Sequence, residues 1–280
     1  MNKAVDMPAQ LKIRELEVKG AEGPLAARLY TGGEAGARKD SLVVFFHSGG
    51  FIGGDLEDAD QFLRRMVADS PETAVLASSY TLATERPFPA AVEDAHAVLL
   101  WSRKNKAKLG WNGKRLVVAG LEAGANLAAV CALMARDRGA PVLAGQILIM
   151  PMLDPALTTC SMREVPAGSV RVASTCAASY RGYLPNAADR THPYASPLQS
   201  SRLKNLPPAL VLSAEDDPLR DEAEQYAAKL STSGVTTTLK RMAPDPQLDL
   251  AERNECACQG VALNEIAGFL GSLDGMPLQS

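Results

Sequence analysis

Leu116-Val117-Val118-Ala119-Gly120-Leu121-Glu122-Ala123-Gly124-Ala125-Asn126-Leu127-Ala128-Ala129 is the stretch whose reading decides the fold. Its first four residues form a short apolar, valine-containing run of the kind that fills a buried strand. Gly120 and Gly124 flank a tight turn, and from Ala123 the chain becomes alanine-rich, as a helix is. A strand turning this sharply into a helix lifts one side chain above the sheet. Here that side chain is Glu122.

The same alternation continues outward. Leu42-Val43-Val44-Phe45-Phe46 is a continuous apolar run of strand length, as a parallel strand buried on both faces requires. Further strands are expected over Ala74–Ser78, Arg115–Ala119, Gln146–Met150, Ala209–Ser213 and Thr236–Arg241. Helical patterns lie between them, over Ala59–Asp69, Ala90–Asn105, Ala123–Arg138 and Leu219–Ser233, with a last one near Leu263–Leu273. Two strands precede these, near Leu11–Lys19 and Leu25–Tyr30. The first has a slip in its apolar alternation that reads as a bulge. Strands alternating with helices predict an α/β fold, with a mostly parallel central sheet and helices on both faces. No linker, repeat or low-complexity segment divides the chain, so 1–280 reads as one domain. The segment 154–190 stands apart, with weak periodicity and scattered Ser, Thr and Cys.

These motifs resemble the α/β-hydrolase superfamily. The central stretch sits where that fold carries its G-x-S-x-G nucleophile elbow. Asn126-Leu127-Ala128-Ala129 resembles the hormone-sensitive-lipase-like esterase branch. His47-Ser48-Gly49-Gly50 is similar to the His-Gly-Gly-Gly loop of that branch. Glycines there turn backbone N–H groups towards a pocket, forming an oxyanion hole with the N–H of Ala123. His47 maps onto the structural histidine of that loop. Tyr80-Thr81-Leu82-Ala83-Thr84-Glu85 resembles the branch's Tyr-Arg-Leu-Ala-Pro-Glu, with threonine in place of arginine and proline, so its polar contacts are expected to be rebuilt. Asp217-Pro218-Leu219-Arg220-Asp221 matches the loop that carries the triad acid, which puts Asp217 in that role. On its own residues the same loop also reads as a helix start, with Asp217 as N-cap and Pro218 behind it. The resemblance further implies that 154–190 holds residual cap helices, the alternative being a plain surface excursion. It also implies a longer helical N-terminal cap over the pocket, against which this chain's cap reads as reduced because little precedes the first strand.

Two positions depart from the pattern. The elbow residue is Glu122 instead of serine, and Pro246 falls about where the C-terminal histidine belongs. The three histidines are His47, His96 and His192, and none follows Asp217. A serine-esterase mechanism therefore lacks both its hydroxyl and its base. Three functions stay open. The chain is a non-hydrolytic pseudoenzyme that binds a small apolar or carbonyl-bearing molecule or a protein partner. Or it is a hydrolase using carboxylates, Glu122 and Asp217, as some relatives of this fold use an elbow aspartate; those still need a histidine to release the covalent intermediate. Or it is a structural or homodimerisation module. The Glu122 carboxylate is expected to fold back onto the N–H groups of Gly49, Gly50 or Ala123. Those hydrogen bonds are expected to depress its pKa in a pocket left partly wet.

Composition narrows the partners. A net charge of −3 gives no reason to expect nucleic acid or an anionic membrane as a partner. No run approaches the roughly 20 apolar residues of a membrane span. Five cysteines in no metal-ligand spacing predict neither a bound metal nor a cofactor, and their odd number suits the cytoplasm.

Overall fold

The computed structural model describes residues 11–33, 37–164, 170–243 and 259–273. Eight strands form one sheet in the order β1-β2-β4-β3-β5-β6-β7-β8. They are β1 Lys12–Lys19, β2 Pro24–Thr31, β3 Lys39–Phe46, β4 Thr73–Ser78, β5 Trp111–Leu121, β6 Gly145–Ile149, β7 Ala209–Ala214 and β8 Thr237–Met242. β1 and β2 are antiparallel to their neighbours, and β4 through β8 run parallel in sheet order. The helices are α1 Asp60–Asp69, α2 Ala90–Lys104, α3 Ala123–Arg138, α4 Cys160–Arg163, α5 Val170–Tyr183, α6 Arg220–Thr232 and α7 Gln259–Ser272.

The two-residue period of a strand explains why the central runs are apolar throughout. Leu42, Val44 and Phe46 of β3 face one core with Leu116 and Val118 of β5, and α2, α3, α5 and α6 pack there. Val43, Phe45, Val117 and Ala119 face the other core, closed by α1 and α7. Each core takes every second residue of the same strands, so a one-residue slip would exchange them.

The slip in β1 is not a bulge. Its register against β2 runs unbroken from Lys12↔Thr31 to Lys19↔Pro24. Ile13 packs on one core while Leu16 and Val18 pack on the other. The apolar residues change face along the strand, which breaks the pattern without an extra residue. Segment 154–190 carries α4, α5 and a short 3₁₀ turn over Ala187–Thr191, with no strand among its described residues. α7 begins a turn earlier than the apolar pattern of Leu263–Leu273 suggests.

β5 and α3 hold the centre. Residues Ala123 to Ala135 of α3 are all buried, so this helix has no solvent face over three turns. Its approach is set by two glycines. A Cβ on Gly124 would lie 2.0 Å from the Phe46 carbonyl oxygen, and one on Gly120 would lie 2.1 Å from that of Gly124. α3 ends at Gly139, whose φ of 71° supplies the left-handed helix stop.

Gly124→Ala is expected to lower the urea unfolding free energy by about 1–3 kcal/mol, since only backbone can give way. Gly268→Ala, on the exposed side of α7 with nothing within 4 Å, is expected to be neutral or to stabilise by about 0.4–1 kcal/mol. Equal effects from the two substitutions would contradict the close strand–helix contact.

Candidate active site

Three loops meet at the carboxyl ends of the parallel strands, where open α/β sheets bind ligands. The glycine loop follows β3, the elbow joins β5 to α3, and the acid loop follows β7. Glu122 sits between β5 and α3 with φ 55° and ψ −110°, a conformation that non-glycine residues rarely adopt. Its backbone is pinned on both sides. Its N–H donates to Ile149 O at 2.9 Å, and its carbonyl accepts from Met152 N at 3.2 Å and Asn126 N at 3.1 Å. Asn126, fully buried, extends the clamp by donating from Nδ2 to Met152 O (2.7 Å) and Ala195 O (3.2 Å).

The Glu122 carboxylate folds back onto the glycine loop. Gly49 N–H donates to Oε2 at 2.8 Å and Gly50 N–H donates to the same oxygen at 3.3 Å. The position expected for an oxyanion therefore holds the protein's own carboxylate oxygen. Hydrogen bonds to a charged group contribute about 1.5–3 kcal/mol each. Two of them match the strain of the elbow, which is on the order of 1–3 kcal/mol. Gly49 (φ 115°) and Gly50 (φ 60°) supply the left-handed backbone that aims both N–H groups inward.

The expected fall in the Glu122 pKa does not occur. Glu122 keeps partial contact with solvent, but protein packs densely around its carboxylate, and burial raises the pKa. The N–H groups of Gly49, Gly50 and Ala123 oppose that rise without reversing it. The pocket is drier than expected because α5 lies over the glycine loop. Tyr183 stacks on Phe51 with ring centres 3.8 Å apart and planes at 5°. Ser179 sits so close that a Cβ on Gly50 would lie 2.0 Å from its Oγ.

Asp217 is buried and its Oδ1 accepts from Leu219 N at 3.0 Å. It caps the turn before α6 and is not the helix N-cap itself, which is Leu219. Burial pushes its pKa up to about 7, with the negative charge of Glu122 adding to the rise and the Leu219 N–H opposing it. Glu222, in the first turn of α6, is a deeper carboxylate that sequence reasoning missed. Its Oε2 accepts from Asp154 N at 2.9 Å, and burial first, then Asp154, holds its pKa well above the carboxylate range. A charged residue on a helix reads as solvated, and only the strictly buried Ala223, Tyr226 and Leu230 around it hint otherwise.

The histidines are used elsewhere. His47 Nδ1–H donates to Ser48 O at 2.6 Å, its ring stacks on Tyr80, and burial lowers its pKa. His96 Nε2–H donates to Ala140 O at 2.9 Å, and His192 Nδ1 accepts from Tyr194 N at 3.1 Å. Pro246 lies outside the described residues. The rebuilt contacts of the Thr81 motif centre on Asp94, whose Oδ2 accepts from Thr81 N (3.0 Å) and Thr81 Oγ1 (2.5 Å). A groove of about 340 Å³ lies on the outer side of the glycine loop, walled by Arg28, His47, Glu57, Tyr80 and Leu82. Neither Glu122 nor Asp217 lines it, so it is separate from the elbow chemistry.

Residues 43–245 match the alpha/beta hydrolase fold family. The chain belongs to that family. An arylesterase of Saccharolobus solfataricus is 34% identical over 236 residues, covering 84% of this chain and 76% of its own length. The carboxylic ester hydrolase LipN of Mycobacterium tuberculosis is 36% identical over 234 residues, 81% of this chain, and the match spans 61% of LipN itself. The solved Pyrobaculum calidifontis esterase superposes with a TM-score of 0.83 at 36% identity, covering 96% of this chain and 87% of that one. These relatives place this α/β-hydrolase on the hormone-sensitive-lipase-like esterase branch. No helix among the described residues is long and apolar enough to cross a membrane.

The buried acid gives this α/β-hydrolase a defined pH response. An unfolded Asp titrates near about 3.9. The folded Asp217, raised to about 7, binds its proton more tightly than the unfolded chain does. Its contribution to stability is fully present below about pH 4 and is lost as pH rises through about 7. Asp217→Asn keeps an acceptor for the Leu219 N–H and removes the titration. Its melting temperature, relative to wild type, should therefore rise between about pH 4 and 7. A constant difference across that range would contradict a neutral, buried Asp217.

Proposed function

We propose that this protein is a non-hydrolytic member of the esterase branch that binds a small apolar molecule or a protein partner over its remnant pocket. The observation that supports this reading is the 2.8 Å hydrogen bond from Gly49 N–H to Glu122 Oε2, with its companion from Gly50. An ester's carbonyl would have to displace a carboxylate from those donors before any charge could develop on it. A carbonyl-bearing ligand faces the same competition, which favours an apolar ligand over it. The elbow offers no hydroxyl, and each histidine of the chain is engaged away from it or, like His47, held by its own loop and stacked. The described cysteines, Cys131, Cys160 and Cys176, are free thiols, which supports a cytoplasmic setting.

Hydrolysis of p-nitrophenyl acetate or butyrate by purified protein is expected to equal that of a denatured control. Turnover that co-purifies with the protein and is lost in Glu122→Gln would refute the proposal. Glu122→Ser alone is expected to stay at background, because triad members act as a unit and no base is supplied. Only the double variant Glu122→Ser, Pro246→His adds both missing groups. Esterase-level rates from the single variant would reveal a general base that this account lacks.

A further inference from the structure

We propose that the groove on the outer side of the glycine loop binds a small primary ammonium with an apolar body, which donates an N–H to His47 Nε2. The groove lies apart from the elbow, so this goes beyond the non-hydrolytic reading and stands whether or not Glu122 has chemistry. It holds about 340 Å³, and its walls include Arg28, His47, Asp55, Leu56, Glu57 and Leu82. That volume is at the lower end of small-molecule sites, which run from about 300 to 1,000 Å³.

His47 supplies the acceptor. The residue is only 3% exposed. Its Nδ1 faces backbone, donating to Ser48 O at 2.6 Å, and a Cβ on Gly54 would lie 2.8 Å from the same nitrogen. The bond to a carbonyl fixes the proton on Nδ1 and leaves a lone pair on Nε2. Nε2 has no partner among the described residues, yet it is not one of the unpartnered side-chain atoms that protein seals off. It therefore opens onto the groove that His47 walls. Burial lowers the pKa of the ring, while the Ser48 carbonyl and the charges of Asp58 and Asp55 oppose that fall, and the imidazole is neutral at pH 8. A buried acceptor calls for a donor, and a carboxylate or ketone brings none.

The surrounding charge selects the donor. Arg28 is the cation on the groove wall, and three carboxylates already engage it: Glu15 at 2.5 Å, Glu57 at 2.7 Å and Asp60 at 2.9 Å. Asp55 and Asp58 add two more negative charges. Asp55 Oδ1 accepts from Glu57 N, Asp58 Oδ2 accepts from Asp55 N, and neither forms an ion pair among the described residues. Five carboxylates thus surround two guanidiniums, Arg28 and Arg64. Such a surface attracts cations and repels anions. Among the described residues, no three of His, Cys, Asp and Glu are placed to hold a metal ion, which leaves an organic cation. An ammonium carries three N–H donors, enough for Nε2 and a carboxylate together. Leu56 and Leu82, both half-buried, offer the apolar face for its body.

The test titrates the full chain at pH 8 and low salt with 2-phenylethylammonium chloride, 2-phenylethanol and phenylacetate. Backbone amides and the His47 ring nitrogens are followed by NMR. The three probes share one apolar body and differ in charge and donor. The amine is expected to shift His47 Nε2 and the amides of residues 55–57. The alcohol is expected to bind about tenfold more weakly, and the carboxylate not at all. His47→Asn keeps an amide donor for Ser48 O but removes the Nε2 acceptor, and should weaken the amine about tenfold. Asp55→Asn keeps an acceptor for Glu57 N and removes the charge, for a loss of about two- to fivefold that fades in high salt. Should His47→Asn fold poorly, Asp55→Asn and the three-probe comparison on the unsubstituted chain still decide. Equal affinity for all three probes would overturn the proposal and reduce the groove to an apolar patch. So would shifts confined to residues away from the groove, or an amine titration that never saturates.

Discussion

The structure turns on a single oxygen, Oε2 of Glu122, held by the N–H groups of Gly49 and Gly50. This contact joins the end of β3 to the end of β5 through a side chain, across the point where α3 begins. It depends on a strained elbow at Glu122, on left-handed glycines in the facing loop and on α3 lying almost against the Phe46 carbonyl. Remove the close approach and the carboxylate loses its donors. Remove the carboxylate and the donors face an empty hole, as an oxyanion-binding loop would.

Around that contact the site is rich in carboxylates and poor in cations. Glu122, Asp217 and Glu222 are each pushed towards their neutral forms, and burial is the largest cause in all three. A histidine between Asp217 and the elbow would offset this, since an imidazolium favours a neighbouring carboxylate's charged form. Here the described charges of that kind are engaged outside the site. Arg220 pairs with Asp221, and Arg138 pairs with Glu93. The backbone donors of the glycine loop and of Leu219 do the work that a cation would otherwise do, and less completely.

Much of this was legible in the sequence. The apolar runs of β3 and β5 marked strands buried on both faces, and Gly120 and Gly124 marked the tight entry into α3. The fold-back of Glu122 followed from a long carboxylate placed at a helix start opposite two glycines. The direction of its pKa did not follow, because the cover over the loop comes from α5, which lies far along the chain from both the loop and Glu122 in a stretch with weak periodicity. Glu222 and Ser179 were hidden for a related reason. Burial of a polar residue on a helix is decided by what packs against it, and no local pattern records that. The apparent bulge in β1 shows the converse, a local irregularity that two facing cores resolve without any change in register.

The central claim is that a titrating Glu122 carboxylate fills the oxyanion hole. It is tested most directly by following the backbone amide resonances of Gly49 and Gly50 against pH by NMR. Both should move together in one step, with a midpoint above the usual carboxylate range, and both steps should vanish in Glu122→Gln. Gly49 and Gly50 amides that do not respond to pH, or that respond identically in wild type and Glu122→Gln, would contradict the account.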